Sequence, residues 1–547
     1  MDNGVVMNAE GSGFGALGLQ ESAKPAYVVY KRHDEEPVTM TWRDVFETAQ
    51  RIAGQINPTG EPQQTGVIIT CNDELNFATA LLATWLTGAT AIPTTNTFRR
   101  NLNDRNTHIY NRTAPDIVLH DMTAGAAHSR LLELAPNAEF VNVDSAREAR
   151  FSGGSSPKIS GSLLQYTSGS TTNPKPVLLG PAEVRGGCKA IAKAYGLSTE
   201  TVGIHWLPLY HDMGLIGSVV MPLWTGGTSV IMRPSVFIQR PSLWFELATQ
   251  WKADITAAPN FAYEYVLSRL EPSDADGIDL SSMASLIIGG EPVRPATLRR
   301  LYAAGPGLGL PRAAVKPSYG MAEATLLVSR FSGDGDKQPF SQRHSSEEIT
   351  CLGQPVDEVQ VEIRDPESDQ ALEAGDLGNI WITGEAVGTV VPQGANWRVA
   401  LVKQPVKTGD VGFQDEGAIY VVGRESNLLI IRGANFFAED IETAILNTQP
   451  PGVITGIAAL SLDNPEQGTD ALYLFIEVAG TVDRIEKKDL NQALSQGFGL
   501  KAQDILFLKT RSLPRTSSGK VIRRQVKDLY IDGTFNRFIL KGTHHDS

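Results

Sequence analysis

The sequence predicts an α/β protein: a large N-terminal domain of mixed αβ layers, a β-rich subdomain, and a small α+β C-terminal domain. Three observations carry this expectation. Short β-rich runs alternate with segments of helical period through roughly the first 350 residues. Beyond that point the spacing tightens and acidic-Gly turns appear, as in Asp415-Glu416-Gly417. Gly423-Arg424 then interrupts two β-rich runs and leaves about 120 residues for a compact module. The expected division is therefore 1–424 and 425–547.

In chain order, Val67–Thr70 reads as a strand, Leu75–Thr87 as a helix and Thr90–Pro93 as the next strand. The uncharged stretch Leu75–Phe98 is long enough to raise a membrane span. Gly88, Pro93 and several threonines interrupt it, however, and a buried helix turning into a strand fits better. Ser229–Met232, Ser285–Ile288, Val359–Ile363 and Ile380–Thr383 are further expected strands, and Pro241–Trp251 and Phe261–Leu270 expected helices. Phe331–Glu348 is polar and rich in Gly, Ser and Gln, which predicts an exposed loop.

The 547 residues are 41% hydrophobic and 20% charged, an ordinary globular composition. The formal net charge of -13 disfavours nucleic acid and anionic membrane surfaces, because no run of basic residues offsets it. Cys71, Cys188 and Cys351 lie far apart, without a metal-binding spacing, and the N-terminus lacks the pattern of a secretory signal. A reduced, cytoplasmic protein is the expectation.

The most informative segment is Leu164-Gln165-Tyr166-Thr167-Ser168-Gly169-Ser170-Thr171-Thr172-Asn173-Pro174-Lys175. The apolar run Ile159–Tyr166 delivers the chain into small residues that can wrap amides and hydroxyls around an anion, and Lys175 adds positive charge. It lacks the Gly-Lys-Ser/Thr of a Walker loop. Taken alone it also fits a Ser/Thr-rich surface loop.

This string resembles the phosphate-binding signature of the adenylate-forming superfamily of acyl-CoA synthetases, adenylation enzymes and luciferase-like proteins. Its opening is most similar to fatty acyl-AMP ligases, and the resemblance runs in order along nearly the whole chain. It implies ATP- and Mg²⁺-dependent activation of a carboxylic acid, with a fatty or related acyl acid first and an aryl acid second. Release of pyrophosphate would be followed by transfer to the phosphopantetheine of an acyl carrier protein. Coenzyme A is the alternative acceptor, and a non-catalytic nucleotide- or acyl-binding relative the alternative class.

The resemblance also assigns residues. Thr167, Ser168, Gly169, Ser170, Thr171 and Thr172 would cradle phosphates. Trp206-Leu207-Pro208-Leu209-Tyr210-His211-Asp212-Met213-Gly214 would place Trp206, His211 and Gly214, with Gly289, around the acid. His211 would position the carboxylate rather than act as a base, since a carboxylate is already ionised at neutral pH. Gly290, Glu291 and Pro292 would border adenine, with Ser318, Tyr319, Gly320 and Met321. Tyr319 would stack on the base and Glu323 would hold Mg²⁺. Asp410 and Arg424 would hold the ribose. Lys520, in Leu513-Pro514-Arg515-Thr516-Ser517-Ser518-Gly519-Lys520, would bridge the carboxylate and the α-phosphate when a mobile C-terminal domain closes. The chain departs from its relatives at Ala322, where many carry threonine, and at Asn427, where the hinge is usually Asp or Lys. Thr325 is left without an expected role. The stretch Ser329–Cys351 is shorter than the insertion usual in fatty acyl-AMP ligases, and Pro176 and Leu178-Leu179-Gly180 replace a Gly and Ser-His pattern.

Overall fold

The computed structural model describes residues 13–56, 61–95, 100–148, 158–167, 174–270, 276–332, 340–341, 348–399, 402–431, 434–450, 452–464, 469–480, 485–515 and 521–540. Two large sheets dominate. The first has nine strands among the described residues, with a parallel centre of Pro25–Tyr30, Thr228–Met232, Val202–His205, Ile255–Ala258, Ser285–Ile288 and Val315–Gly320. Antiparallel strands finish both edges. The second has seven among the described residues, and parallel Thr90–Pro93, Gly66–Thr70, Ile117–His120 and Glu139–Asn142 run from its middle to one edge.

Strand alternation decides which core each residue joins. Val67 and Ile69 face a layer shared with Tyr27, Val29 and Ile231 of the other sheet. Ile68 and Val118 point to the outer face with Tyr110 and Trp397. Helix Glu74–Leu86 fills the shared layer and is apolar almost all round, so it belongs inside. Asp73 starts it by accepting hydrogen bonds from the amides of Leu75 and Asn76. Burial of one side chain such as Trp85 stabilises by roughly 1.5–3 kcal/mol. The uncharged stretch thus forms a buried helix and a strand, and no helix among the described residues is long and apolar enough to cross a membrane.

A four-stranded antiparallel sheet follows, made of Gln360–Arg364, Gly378–Thr383, Val406–Asp415 and Ala418–Arg424. From Leu428 onward the chain builds a two-stranded ribbon and a three-stranded sheet with helices Ala438–Leu446, Lys487–Phe498 and Arg523–Ile531. Their apolar side chains form two cores drawn wholly from residues after 428. The expected loop Phe331–Glu348 is corrected in part: Phe340–Ser341 pairs with Ile349–Thr350, and Arg299 lies over the Phe340 ring. The arginine over the Phe340 ring and the bond from Thr350 Oγ1 to the Val293 carbonyl hold this short ribbon against the domain.

Candidate active site

The C-terminal ends of the parallel strands open onto a cavity with about 900 Å³ of open space, its mouth included. In open α/β sheets this is where ligands collect. Its floor is the sheet face presented by Gly203, His205, Ile255, Ala257, Ile287 and Gly289. Its roof comes from Ile191 and Tyr195 of helix Pro181–Tyr195 and from Gly217 and Met221. Above it the helical backbone widens by one residue, so that the Met221 amide reaches the Ile216 carbonyl. Such widened turns recur at functional sites.

Tyr319, on the cavity wall, joins a cluster of three polar residues. The Tyr319 hydroxyl donates to Asp410 Oδ2 at 2.6 Å, and Arg424 Nε donates to Oδ1 at 2.9 Å. The Asp410 amide reaches Thr408 Oγ1 at 3.1 Å. Register explains the meeting, since Asp410 pairs directly with Arg424 across a hairpin while Tyr319 ends a strand of the large sheet. Burial, reinforced by Asp410, holds the Tyr319 phenol well above its usual range, so the hydroxyl stays a donor. Asp410, first among the causes, raises the Arg424 guanidinium further. Each carboxylate oxygen of Asp410 keeps a second lone pair.

Glu323 sits in the turn Ala322–Ala324 beyond Gly320. Its carboxyl is raised above the ordinary glutamate range, first by burial and then by Asp212 and Asp410, with Arg424 opposing. A desolvated carboxylate beside others favours a hard cation as well as a proton. Among the described residues no group of three or more His, Cys, Asp and Glu side chains could hold a metal.

The other expected residues divide. Gly289, Gly290, Ser318, Tyr319 and Gly320 line the cavity. Gly290 adopts φ +74° and leaves room for the Met213 methyl. Ser318 Oγ is 2.9 Å from the Tyr195 hydroxyl. Met321 packs into the core, Pro292 is exposed, and Glu291 Oε1 accepts from the Phe261 amide at 2.6 Å, capping helix Asn260–Leu267. His211 is half-buried beside the Tyr210 ring, next to the cavity residues Asp212 and Met213. A Cβ at Gly214 would meet the Pro208 carbonyl oxygen at 2.2 Å, so glycine there closes the loop rather than lining the pocket.

Trp206 is a correction to the expected pocket. Its ring stacks on Phe237 at 3.9 Å and meets Trp244 edge-on, on the sheet face opposite the cavity. Alternation turns His205 inward in its place. The sequence reading missed His205 and did not assign Asp212; period-two alternation along Val202–His205 was the available signal. Thr325, with φ +61°, shares its hydroxyl between the Glu183 and Ala386 carbonyls at 3.1 and 3.0 Å and ties three segments together.

Ser168, Gly169, Ser170, Thr171, Thr172 and Lys520 lie outside the described residues. Their flanks are antiparallel: Leu163–Tyr166 pairs with Pro176–Leu179, and Arg515 bridges Val521. At the base of the first loop the Thr167 amide donates to the Lys175 carbonyl at 3.0 Å.

A family model described as AMP-binding enzyme matches residues 19–390. A 4-hydroxyphenylalkanoate adenylyltransferase of Mycobacterium tuberculosis is 30% identical, over 95% of this chain and 92% of its own. A putative fatty-acid–CoA ligase of the same species is also 30% identical, over 93% and 95%. A medium-chain-fatty-acid–[acyl-carrier-protein] ligase, JamA of Moorena producens, is 27% identical, over 95% and 94%. Among solved structures, a fatty acyl-adenylate ligase of L. pneumophila in complex with acyl adenylate and pyrophosphate superposes with a TM-score of 0.67 at 26% identity, covering 95% of this chain and 96% of that one. An apolar cavity opening onto a Tyr–Asp–Arg cluster agrees with these matches, and the chain belongs to the AMP-binding enzyme family as an adenylate-forming ligase.

Proposed function

We propose that the chain condenses a fatty or related acyl carboxylate with the α-phosphate of ATP, releasing pyrophosphate, and then passes the acyl group to the phosphopantetheine thiol of an acyl carrier protein. The observation that carries this reading is the joining of a mostly apolar cavity, lined by Tyr319 and Asp212, to the polar residues Asp410, Arg424 and Glu323 that bond to or sit close to those two. The acyl chain occupies the cavity and its carboxylate lies at the mouth, near His211. Tyr319 presents its ring to adenine, while Asp410 accepts from the ribose hydroxyls through its remaining lone pairs.

Little covalent help is needed for this displacement, so positioning and charge neutralisation supply the catalysis. Glu323 would hold Mg²⁺ with Asp212 alongside; the bound ion would neutralise charge on the departing pyrophosphate. The loop 167–172 donates amides and hydroxyls to the phosphates. Residues 425–547 act as a mobile domain that turns near Asn427 and brings Lys520 to the carboxylate and α-phosphate.

The test is pyrophosphate release over fatty, aryl and amino acids. Lys520→Ala should lower release by about 10²–10³ while ATP still binds, because one preorganised cation is lost. Near-normal release in that variant would remove Lys520 from the reaction. Thioester formation on a phosphopantetheinylated carrier protein, compared with coenzyme A, decides the acceptor. Preference for coenzyme A would favour the activity named for the M. tuberculosis CoA ligase relative.

A further inference from the structure

The acyl cavity is mostly apolar, and His205 stands out among the polar groups on its wall. Gly203 and His205 both face it from strand Val202–His205, and the imidazole leans back along the strand over Gly203. A Cβ at Gly203 would lie 2.5 Å from His205 Nε2, so the missing side chain is what gives the ring its seat. Gly203 lies two residues deeper than the strand end, about 6–7 Å below the mouth.

His205 is 6% exposed, and among the described residues its ring nitrogens make no hydrogen bond. Other polar groups on the wall are already committed. Thr228 Oγ1 donates to the Pro25 carbonyl, Thr225 Oγ1 to the Met221 carbonyl, and Tyr195 pairs with Ser318. Buried polar groups are rarely left unpaired without a ligand or water to meet them.

We propose that His205 is the polar subsite of the acyl cavity, and that the acid carries a hydroxyl group partway along its chain. This deepens the acyl-activation reading and rests on it. Burial depresses the imidazole to about 4, so the ring is neutral and offers one donor and one acceptor. A hydroxyl satisfies both, whichever tautomer is present. A second charge would be desolvated here without a counter-ion, and a plain alkyl chain would leave the ring unpaired.

The test uses dodecanoic acid against monohydroxydodecanoic acids with the hydroxyl moved along the chain, together with 3-phenylpropanoic against 3-(4-hydroxyphenyl)propanoic acid. Pyrophosphate release gives kcat and KM for each. The expected result is that at one hydroxyl position the wild type prefers the hydroxylated acid at least tenfold in kcat/KM, chiefly through the KM of the acid. His205→Leu should erase or invert that preference without changing the KM for ATP. His205→Asn, which keeps a donor and an acceptor, should retain part of it, and it serves if the leucine variant fails to fold. Release without discrimination in any pair overturns this proposal alone. So does an equal loss on both members of the preferred pair in His205→Leu. No release from any acid overturns the ligation reading and this one with it.

Discussion

Two arginine–carboxylate pairs in the chain look alike in sequence and differ in what surrounds them. Arg523 grips Glu442 with two bonds, Nε to Oε1 at 3.1 Å and Nη2 to Oε2 at 2.7 Å, while its Nη1 approaches Glu439 at 3.4 Å. The Ala459 amide adds a bond to Oε1 at 2.8 Å, and the two side chains are 16% and 11% exposed. Arg424 instead meets Asp410 through Nε, is 40% exposed, and shares the carboxylate with Tyr319. The first pair is closed on itself: it joins helix Arg523–Ile531 to helix Ala438–Leu446, and the Ala459 amide ties both to a strand. The second faces a cavity mouth with bonding capacity left over, which is what a ligand requires. Removing a partner should therefore damage stability in one and substrate affinity in the other.

The largest effect is expected at the closed pair. Arg523→Met strands a buried carboxylate, and breaking such a pair costs about 3–5 kcal/mol. Burial already lifts the Glu442 carboxyl to about 7 despite Arg523. Without the guanidinium it protonates more readily still, which relieves part of the penalty at low pH. The loss of stability should accordingly be greater at pH 8 than at pH 6 in thermal melts. A deficit that shrinks as pH rises would mean that Glu442 is not the stranded group.

At the open pair, Asp410→Asn keeps the shape and removes the charge. A hydrogen bond to a charged group is worth about 1.5–3 kcal/mol, so kcat/KM for ATP should fall about 10- to 150-fold. Melting should change far less than in Arg523→Met. If the two variants lose stability equally, the contrast between open and closed pairs fails.

A smaller effect follows from Glu323. Its carboxyl gives up its proton at a higher pH than an ordinary glutamate, so a cation that Glu323 held would meet growing competition from protons on acidification. The Mg²⁺ concentration for half-maximal pyrophosphate release should climb on acidification, and Glu323→Gln should flatten the climb at lower activity. An unchanged slope in the variant would place the titration elsewhere.

How much of this was readable beforehand depends on range. Strand Ser285–Ile288 falls where its apolar run predicts, and helix Glu74–Leu86 within one residue of the expected bounds, because local periodicity records burial directly. The Tyr319–Asp410–Arg424 cluster joins residues up to 105 positions apart, so motif resemblance could name its members but not their bonds. Trp206 and His205 show the opposite failure. A large aromatic in a recognisable motif drew the assignment, whereas the side chain reaching the cavity was its plain neighbour, distinguishable only by which face of the strand it occupies. Glu291 likewise sits in a motif yet spends its carboxylate on a helix cap, a tertiary contact across 30 residues.

The smallest effect is expected at Tyr319→Phe. The ring is kept and only the bond to Asp410 is lost. Arg424 still holds the other carboxylate oxygen, and at an open mouth water can replace the phenol, so the net cost is about 0.5–1.5 kcal/mol. That corresponds to roughly a two- to tenfold rise in the KM for ATP, with kcat little changed. Because the phenol is held far above its usual range, the ratio of variant to wild type should stay constant from pH 6 to 9. A ratio that drifts with pH would show that the hydroxyl ionises there, which its contact with a buried carboxylate opposes.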